Sequence, residues 1–385
     1  MAPQSPRARL LTPAFLLISA ATLAFFTSAG VTLPSVPLYV DGPLQGSDIA
    51  VGLAVGLFSV SALLTRPFAG RLGDARGRRP VMVVGAAIVA VSVLGYELAS
   101  SVGVLIVFRL LTGVGEALFF TAATVAIVDL APEDRRGEAV SFFTLALYIG
   151  IGIGPAIGET LIDLGGFTPT WLVTAGLAGL AALLASRVPE TRPEHQVMST
   201  RTRLVHPAAV LPGAAFLGAV WGQAGFLSFT PLYASRIGLE ESRYVFLTYS
   251  AVVVLFRWVG ARVPDRIGPV LASRLALAFG AAGLALMAVL RSPGGLFAST
   301  VVFAIGSALA FPALVMLALR GTDPAERGAV MGTFGGFVDI GFGIGPASLG
   351  VVAETLGYRG LFLAASGVAA TGLMLLLTSS RLRTR

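Results

Sequence analysis

The sequence predicts an all-α integral membrane protein: twelve transmembrane helices arranged as two pseudo-symmetric six-helix bundles. Three observations carry this. Of 385 residues, 55% are hydrophobic and 12% charged, about half the charged share of ordinary soluble domains, and mean hydropathy is +0.85. The apolar residues come in uninterrupted blocks of about twenty or more, the length a helix rising 1.5 Å per residue needs to cross roughly 30 Å of hydrocarbon. The second half of the chain also repeats the first at a fixed offset of 191 residues.

The expected spans are 12–40, 48–70, 80–99, 103–130, 137–163 and 169–187, then 207–234, 243–263, 270–290, 294–320, 327–352 and 359–379. The first follows MAPQSPRAR and runs from Leu11 to Val40, too long for the apolar core of a signal peptide and without a small-residue cleavage site, so it is read as a spanning helix. Connections within each half are short and leave no soluble domain. The polar segment VPETRPEHQVMSTRTRLVH, residues 188–206, separates an N-terminal bundle, 1–187, from a C-terminal bundle, 207–385.

Spans 2 and 3 are joined by GRLGDARGRRP, residues 70–80, with four of the 27 basic residues, all of them arginine. Loops rich in positive charge stay in the cytoplasm. With the N-terminus inside, one face collects Arg7, Arg9, Arg71, Arg76, Arg78, Arg79, Arg135, Arg136, the linker arginines, Arg262, Arg266, Arg274, Arg320, Arg327 and the C-terminal Arg381, Arg383 and Arg385, whereas the other holds Arg236, Arg243, Arg291 and Arg359. Both termini are therefore expected in the cytoplasm of a cell-membrane protein. The sequence pI near 10.5 reads as topology signal and not as a nucleic-acid surface, because the arginines sit at the ends of apolar blocks.

Span 4 carries Arg109, Gly113 and Gly115, and then Glu116 at its midpoint. A carboxylate at that depth pairs with a base, stays protonated or faces a water-filled cavity. Span 5, RGEAVSFFTLALYIGIGIGP from Arg136, aligns with span 11, RGAVMGTFGGFVDIGFGIGP from Arg327, which pairs Gly150, Gly154 and Pro155 with Gly341, Gly345 and Pro346. Glycines four apart let a neighbouring backbone approach, and proline kinks the helix. Asp339 stands at mid-span in span 11, where the repeat has Tyr148. The same offset carries Arg66 to Arg257, Asp74 to Asp265, Gly77 to Gly268 and Trp171 to Phe362. Arg66 and Arg257, near the cytoplasmic ends of spans 2 and 8, are expected to snorkel to the headgroups or to pack between the bundles. Two parallel halves joined by a linker describe a protein whose halves rock around a site near the midplane.

These motifs resemble the major facilitator superfamily over essentially the whole chain. Gly70, Leu72, Asp74, Gly77, Arg78 and Arg79 are similar to its signature between helices 2 and 3, with Ala75 in place of the usual basic residue. The resemblance implies that Asp74, Arg78 and Asp129 form a charge network that holds the cytoplasmic side shut, with Asp74 at the N-terminus of helix 11, together with Gly70, Gly77 and Arg79. Gly150, Gly154, Pro155 and Gly158 resemble the family's antiporter motif, except that Glu159 replaces its last glycine; antiport, and hence export, is what that resemblance implies. Arg109 with Gly113 and Gly115 resembles a motif linked to proton transfer, and Glu116, Asp339 and Arg109 are the candidate proton-coupling residues. The family fold implies that helices 1, 4, 7 and 10 line the cavity. This nominates Phe25, Phe26, Phe119, Phe120, Trp221, Gln223, Phe226, Phe303 and Phe311 as substrate-cavity residues.

The function expected is a secondary active transporter, a proton-coupled antiporter exporting a small, partly apolar organic compound by alternating access. The alternative within transport is a facilitator or proton symporter importing a sugar or other nutrient, which calls for more hydrogen-bonding side chains in the cavity; a membrane enzyme or receptor is the remote alternative, and no nucleophile–base constellation supports it. Cysteine is absent, no cluster has metal-ligand spacing, and no P-loop occurs. No metal and no cofactor beyond a proton gradient is therefore expected. The partners expected are the substrate, protons and the lipid bilayer, with no nucleic acid, for a monomer. His195 and His206, in or beside the linker, are expected to be solvated.

Overall fold

The computed structural model describes residues 12–132, 135–191, 205–259, 267–322 and 326–379. These hold helices α1 (Pro13–Asp41), α2 (Asp48–Arg76), α3 (Arg78–Gly95, continued by a 3-10 turn), α4 (Val102–Leu130), α5 (Arg136–Gly165), α6 (Phe167–Ser186), α7 (Pro207–Arg236), α8 (Arg243–Val259), α9 (Pro269–Val289) and α10 (Pro293–Leu319). A last helical segment, Arg327–Thr378, is broken at Gly357, where φ is 69° and ψ is 179°. Its arms are α11 (327–356) and α12 (358–378). Four helices begin on a hydroxyl: Thr12, Ser47, Ser101 and Ser292 accept from the N–H groups of Phe15, Ala50, Val104 and Gly295, which satisfies a donor that the first turn leaves open.

Among the described residues, the helices are long and apolar enough to cross a membrane in ten stretches, and α8 adds a shorter apolar run, Arg243–Phe256. No strand occurs among the described residues, which makes the fold all-α. The break at Gly357 matches the turn between α5 and α6, because Gly166, 191 residues earlier, has φ of 79°. Gly77 and Gly268, also 191 apart, take φ of 99° and 81° at the start of α3 and α9. Left-handed backbone of this kind is readily available to glycine alone.

The repeat also governs packing. In a bilayer, helices associate through close van der Waals contact and not by escape from water, so small residues mark the seams. A Cβ on Gly154 (α5) would lie 2.5 Å from the Gly30 backbone of α1. Its counterpart, Gly345 (α11), meets Trp221 of α7 at 3.5 Å, the same pairing shifted by 191. Gly115 (α4) presses on the carbonyl of Gly85 (α3), and Gly306 (α10) on that of Ala276 (α9), each at 2.6 Å.

The halves meet along two seams. On one, Gly52 and Gly56 of α2 lie against the backbone carbonyls of Pro346 and Gly343 of α11, at 2.3 and 2.2 Å from an added Cβ. On the other, Ser250 of α8 donates to the Gly152 carbonyl of α5 at 3.0 Å. Both seams tighten toward the face that holds Asp48, Glu159, Arg243 and Glu354. Toward the Asp74 face the α2 seam loosens: Leu64 and Phe68 are each 66% exposed, and Gly70 has no neighbour within 4 Å of an added Cβ. In this conformation Gly70 makes no close helix approach.

Candidate functional site

Between the halves lies a cavity of about 340 Å³. It is walled mainly by apolar and aromatic side chains, with Phe25 and Phe26 from α1, Phe58 from α2, Phe120 from α4, Phe216 from α7 and Phe311 from α10, and it takes a small polar set from both bundles. That set includes Arg66, Arg109, Glu116, Tyr148, Gln223, Tyr249 and Asp339.

The two mid-span acids meet on one cation. Arg66 (α2) places a guanidinium nitrogen 3.0 Å from Asp339 Oδ1 and 3.7 Å from Glu116 Oε1. Its guanidinium lies 5.4 Å from the centre of the Phe120 ring. The carboxylate side chains are 11% (Glu116) and 10% (Asp339) exposed, so each is removed from bulk solvent and depends on this pairing. Arg66 and Glu116 belong to one half and Asp339 to the other, which makes the contact with Asp339 an ion pair across the seam. Arg66 therefore does not snorkel. Of the two sequence expectations, packing between the bundles describes it, and it packs there as the shared counter-ion of the cavity acids.

Arg109 is arranged differently. It is 5% exposed; its Nε donates to the Ala54 carbonyl at 2.9 Å, Nη1 donates to the Tyr96 hydroxyl at 3.4 Å, and its guanidinium sits 4.7 Å from the Phe58 ring centre. No carboxylate pairs with it among the described residues. Arg109 thus ties α4 to the backbone of α2 at the cavity wall. Gln223 (α7) donates to the Tyr249 hydroxyl (α8) at 3.1 Å, which gives a membrane-buried amide its partner.

Phe25, Phe26, Phe120, Gln223 and Phe311 line the cavity as the sequence suggests, and Phe119, Phe226, Trp221 and Phe303 do not. Phe119 is fully buried and stacks on Phe25 with ring centres 4.1 Å apart; about 100° of rotation per residue turns it away from the cavity that Phe120 faces. Phe226 packs among Phe246, Tyr249 and Phe303. Trp221 fills the α7–α11 seam at Gly345, and Phe303 closes over Gly283 of α9. The cavity residues missed from the sequence are chiefly Arg66, Phe58 and Tyr249. The repeat was the available signal, since 191 residues relate Phe58 to Tyr249.

At the Asp74 face, Arg78 is 3% exposed and places Nη1 2.6 Å from Asp74 Oδ1 and Nε 3.7 Å from Asp129 Oδ2. Glu190, just after α6, accepts from the backbone N–H groups of Arg78 and Arg79 at 2.7 and 3.3 Å. A Cβ on Gly77 would lie 2.4 Å from that carboxylate, so glycine is needed there for both conformation and space. The Asp74 side chain is 56% exposed and its ion pair is with Arg78 of its own half. The contact expected with the start of helix 11 is not among those of the described residues, and Arg79 is exposed.

On α5, Gly150, Gly154 and Gly158 lie against α1 backbone from Leu23 to Val31, and Pro155 borders the cavity. Glu159 accepts hydrogen bonds from Ser242 Oγ and the Arg243 N–H at the start of α8. His206 is not solvated: its Nδ1 accepts from Ala208 N–H at 3.3 Å, its Nε2 lies 3.4 Å from Glu326, and its side chain is 12% exposed. His195, Asp265, Arg262 and Arg266 lie outside the described residues, as does the Arg257 side chain. No group of metal-ligating side chains occurs among the described residues.

Comparison with known proteins agrees with this geometry. An uncharacterised MFS-type transporter of Salmonella typhimurium is 27% identical over 369 residues, covering 92% of this chain and 93% of the relative. YhhS of Escherichia coli K12, also an uncharacterised MFS-type transporter, is 26% identical and covers 91% and 89%. Among solved structures, the fold matches a bacterial homologue of the human lysosomal transporter Spinster at a TM-score of 0.79 and 15% identity, covering 96% of each chain. It also matches the nucleoside transporter NupG at 0.72 and 15% identity, covering 97% and 100%. With the pattern of the Major Facilitator Superfamily matching residues 18–322, a two-seamed helical bundle around a central cavity is the fold of that family's transporters, and this chain belongs to the Major Facilitator Superfamily.

Proposed function

We propose that this transporter is a proton-coupled antiporter that exports a small, partly apolar organic compound through the cell membrane. The Asp74 face, with both termini, is cytoplasmic, and the face of Asp48 and Glu159 is external. One observation carries the reading: Arg66 holds an acid of its own half and an acid of the other half inside the aromatic cavity. Rocking the halves must lengthen the Arg66–Asp339 contact, and an acid that loses its counter-ion in a low-dielectric site is stabilised by taking a proton. Proton occupancy is thereby linked to which state is populated. The aromatic walls offer stacking and apolar contact, and Gln223, Tyr148 and Tyr249 offer a few polar anchors, which suits an amphiphilic compound better than a sugar with hydroxyls on every side.

The test is transport in proteoliposomes under an imposed proton gradient, with a panel of organic compounds, for wild type, Glu116→Gln and Asp339→Asn. Wild type should accumulate at least one compound when the gradient runs in the exporting sense. Both variants should lose gradient-driven accumulation while keeping downhill exchange of the same compound. Gradient-driven accumulation that survives in both variants refutes the coupling role.

A further inference from the structure

Arg109 has more donors than the protein uses. A guanidinium offers five N–H donors in a rigid fork. Its Nε goes to the Ala54 carbonyl at 2.9 Å and one Nη1 donor to the Tyr96 hydroxyl at 3.4 Å. That hydroxyl lies 2.8 Å from Thr112 Oγ1, which donates to the Phe108 carbonyl at 2.8 Å, so the fork is held in one orientation. Three donors remain, two of them on Nη2, and the described residues supply no acceptor for Nη2. Nη2 is not sealed inside the protein, and Arg109 borders the cavity. Of the two cations on the cavity wall, Arg66 has both acids and Arg109 has neither; Glu116 stands two turns, about 10 Å, further along α4. Packing alone does not call for a cation here. The repeat puts Thr300 of α10 at the equivalent position, fully buried, with Val245 and Met287 in place of Ala54 and Tyr96. The second half thus closes its α8–α10 contact, the counterpart of α2–α4, without a charge at this place. Ala54 lies between Gly52 and Gly56, in the tight part of the α2–α11 seam, whereas Arg66 is twelve residues on, about 18 Å along α2. The unmatched cation therefore stands toward the closed end of the cavity, and Arg66 with its acids toward the Asp74 face.

We propose that the compound carried is an organic monoanion, whose carboxylate binds Arg109 at the closed end of the cavity and whose apolar body lies between the phenylalanine walls. A guanidinium fork matches a planar carboxylate, and a hydrogen bond between two ions is about twice as strong as one between neutral groups. The fork is already oriented by Ala54 and Tyr96, so little freedom is lost when the anion arrives. A neutral isostere would leave the buried cation without a counter-charge, which costs most where water is scarce. The other charges on the wall limit the rest of the molecule. A second carboxylate would meet Glu116 and Asp339, and a cationic group would have to take those acids from Arg66. One negative charge at one end of an apolar body is what this arrangement accommodates.

This inference rests on the reading of the cavity as the substrate site, and not on proton coupling or the direction of transport, so its test uses neither gradient nor flux. Binding to the purified full-length protein in lipid nanodiscs is measured by titration calorimetry, with empty nanodiscs as the blank, at about pH 7.5, where a carboxylic acid is ionised. The probes are phenylacetate, naphthylacetate and biphenylacetate, each beside its neutral acetamide and its ethylammonium analogue. At least one acetate should bind about tenfold or more tighter than its acetamide. Arg109→Gln should bring the two within about twofold of each other, and Arg109→Lys, which keeps the charge and loses the fork, should fall between. Acetamides or ethylammonium compounds that bind as tightly as the acetates overturn the anionic assignment and leave the cavity standing as a binding site. Binding of none of the probes overturns the assignment together with that reading of the cavity. An acetate preference that survives Arg109→Gln removes Arg109 as the anchor; if Arg109→Gln does not fold, an Arg109→Lys variant with the wild-type ratio of acetate to acetamide affinity overturns it instead.

Discussion

Replacing Arg66 by methionine keeps most of the side-chain volume and removes the only cation seen on the two cavity acids among the described residues. At an effective dielectric of about 20, the 3.0 Å contact with Asp339 is a gross attraction of about 5.5 kcal/mol and the 3.7 Å contact with Glu116 about 4.5 kcal/mol. Desolvation of the ions, several kcal/mol each, offsets most of that sum. What remains decisive is the asymmetry of removal. Taking away one partner of a buried pair costs about 3–5 kcal/mol because a charge is left without compensation, whereas neutralising all members is close to neutral. Arg66→Met alone should therefore lower the thermal unfolding midpoint of the purified protein clearly, and Arg66→Met/Glu116→Gln/Asp339→Asn should recover most of the loss. Fluorescence-monitored unfolding in detergent at neutral pH reads both. If the triple variant is less stable than Arg66→Met, or Arg66→Met unfolds with wild type, the cluster is not held by this mutual compensation.

Two further outcomes follow from the packing. Gly154→Leu should destabilise by about 1–3 kcal/mol or more, since its Cβ would start 2.5 Å from the Gly30 backbone, whereas Gly70→Ala should be tolerated in this conformation, where nothing stands within 4 Å; thermal unfolding of the two variants in parallel checks the contrast. Glu190→Ala should cost about 1 kcal/mol by removing the acceptor at the first N–H groups of α3, and hydrogen exchange at Arg78 and Arg79 should quicken. Unchanged exchange at those amides would refute the cap.

The features legible in the sequence were those set by periodicity and repetition. Block lengths gave the spans to within a few residues at most ends, and the 191-residue offset anticipated that α5 and α11 would use the same glycines. Less was legible where the outcome depends on rotation about a helix axis. Phe119 and Phe120 are equivalent in composition and hydropathy, yet only Phe120 faces the cavity. For Arg66 the distance along the helix leaves both the headgroups and the seam between the bundles open, and a one-dimensional reading does not choose between them. The cavity acids, 50 and 273 positions away along the chain, are what draw it inward. Glu159 is visible as a departure from a motif, but its partners, the Ser242 hydroxyl and the Arg243 N–H at the start of α8, lie more than eighty residues along the chain, and nothing in the sequence joins them to it.

The central chemistry lies where the repeat fails. Much of the cavity wall is twofold in sequence: Phe25 and Phe216, Phe120 and Phe311, Phe58 and Tyr249 are pairs 191 residues apart, and all six line the cavity. The acids have no such partners, since Glu116 corresponds to Ser307 and Asp339 to Tyr148, both also at the cavity surface. Arg66 and Glu116 belong to one bundle and Asp339 to the other, so in the proposed rocking the pair that breaks is the one between bundles. On the proposed coupling, the position of the acid relative to the seam, and not its presence in the cavity, is what would tie its charge state to the motion.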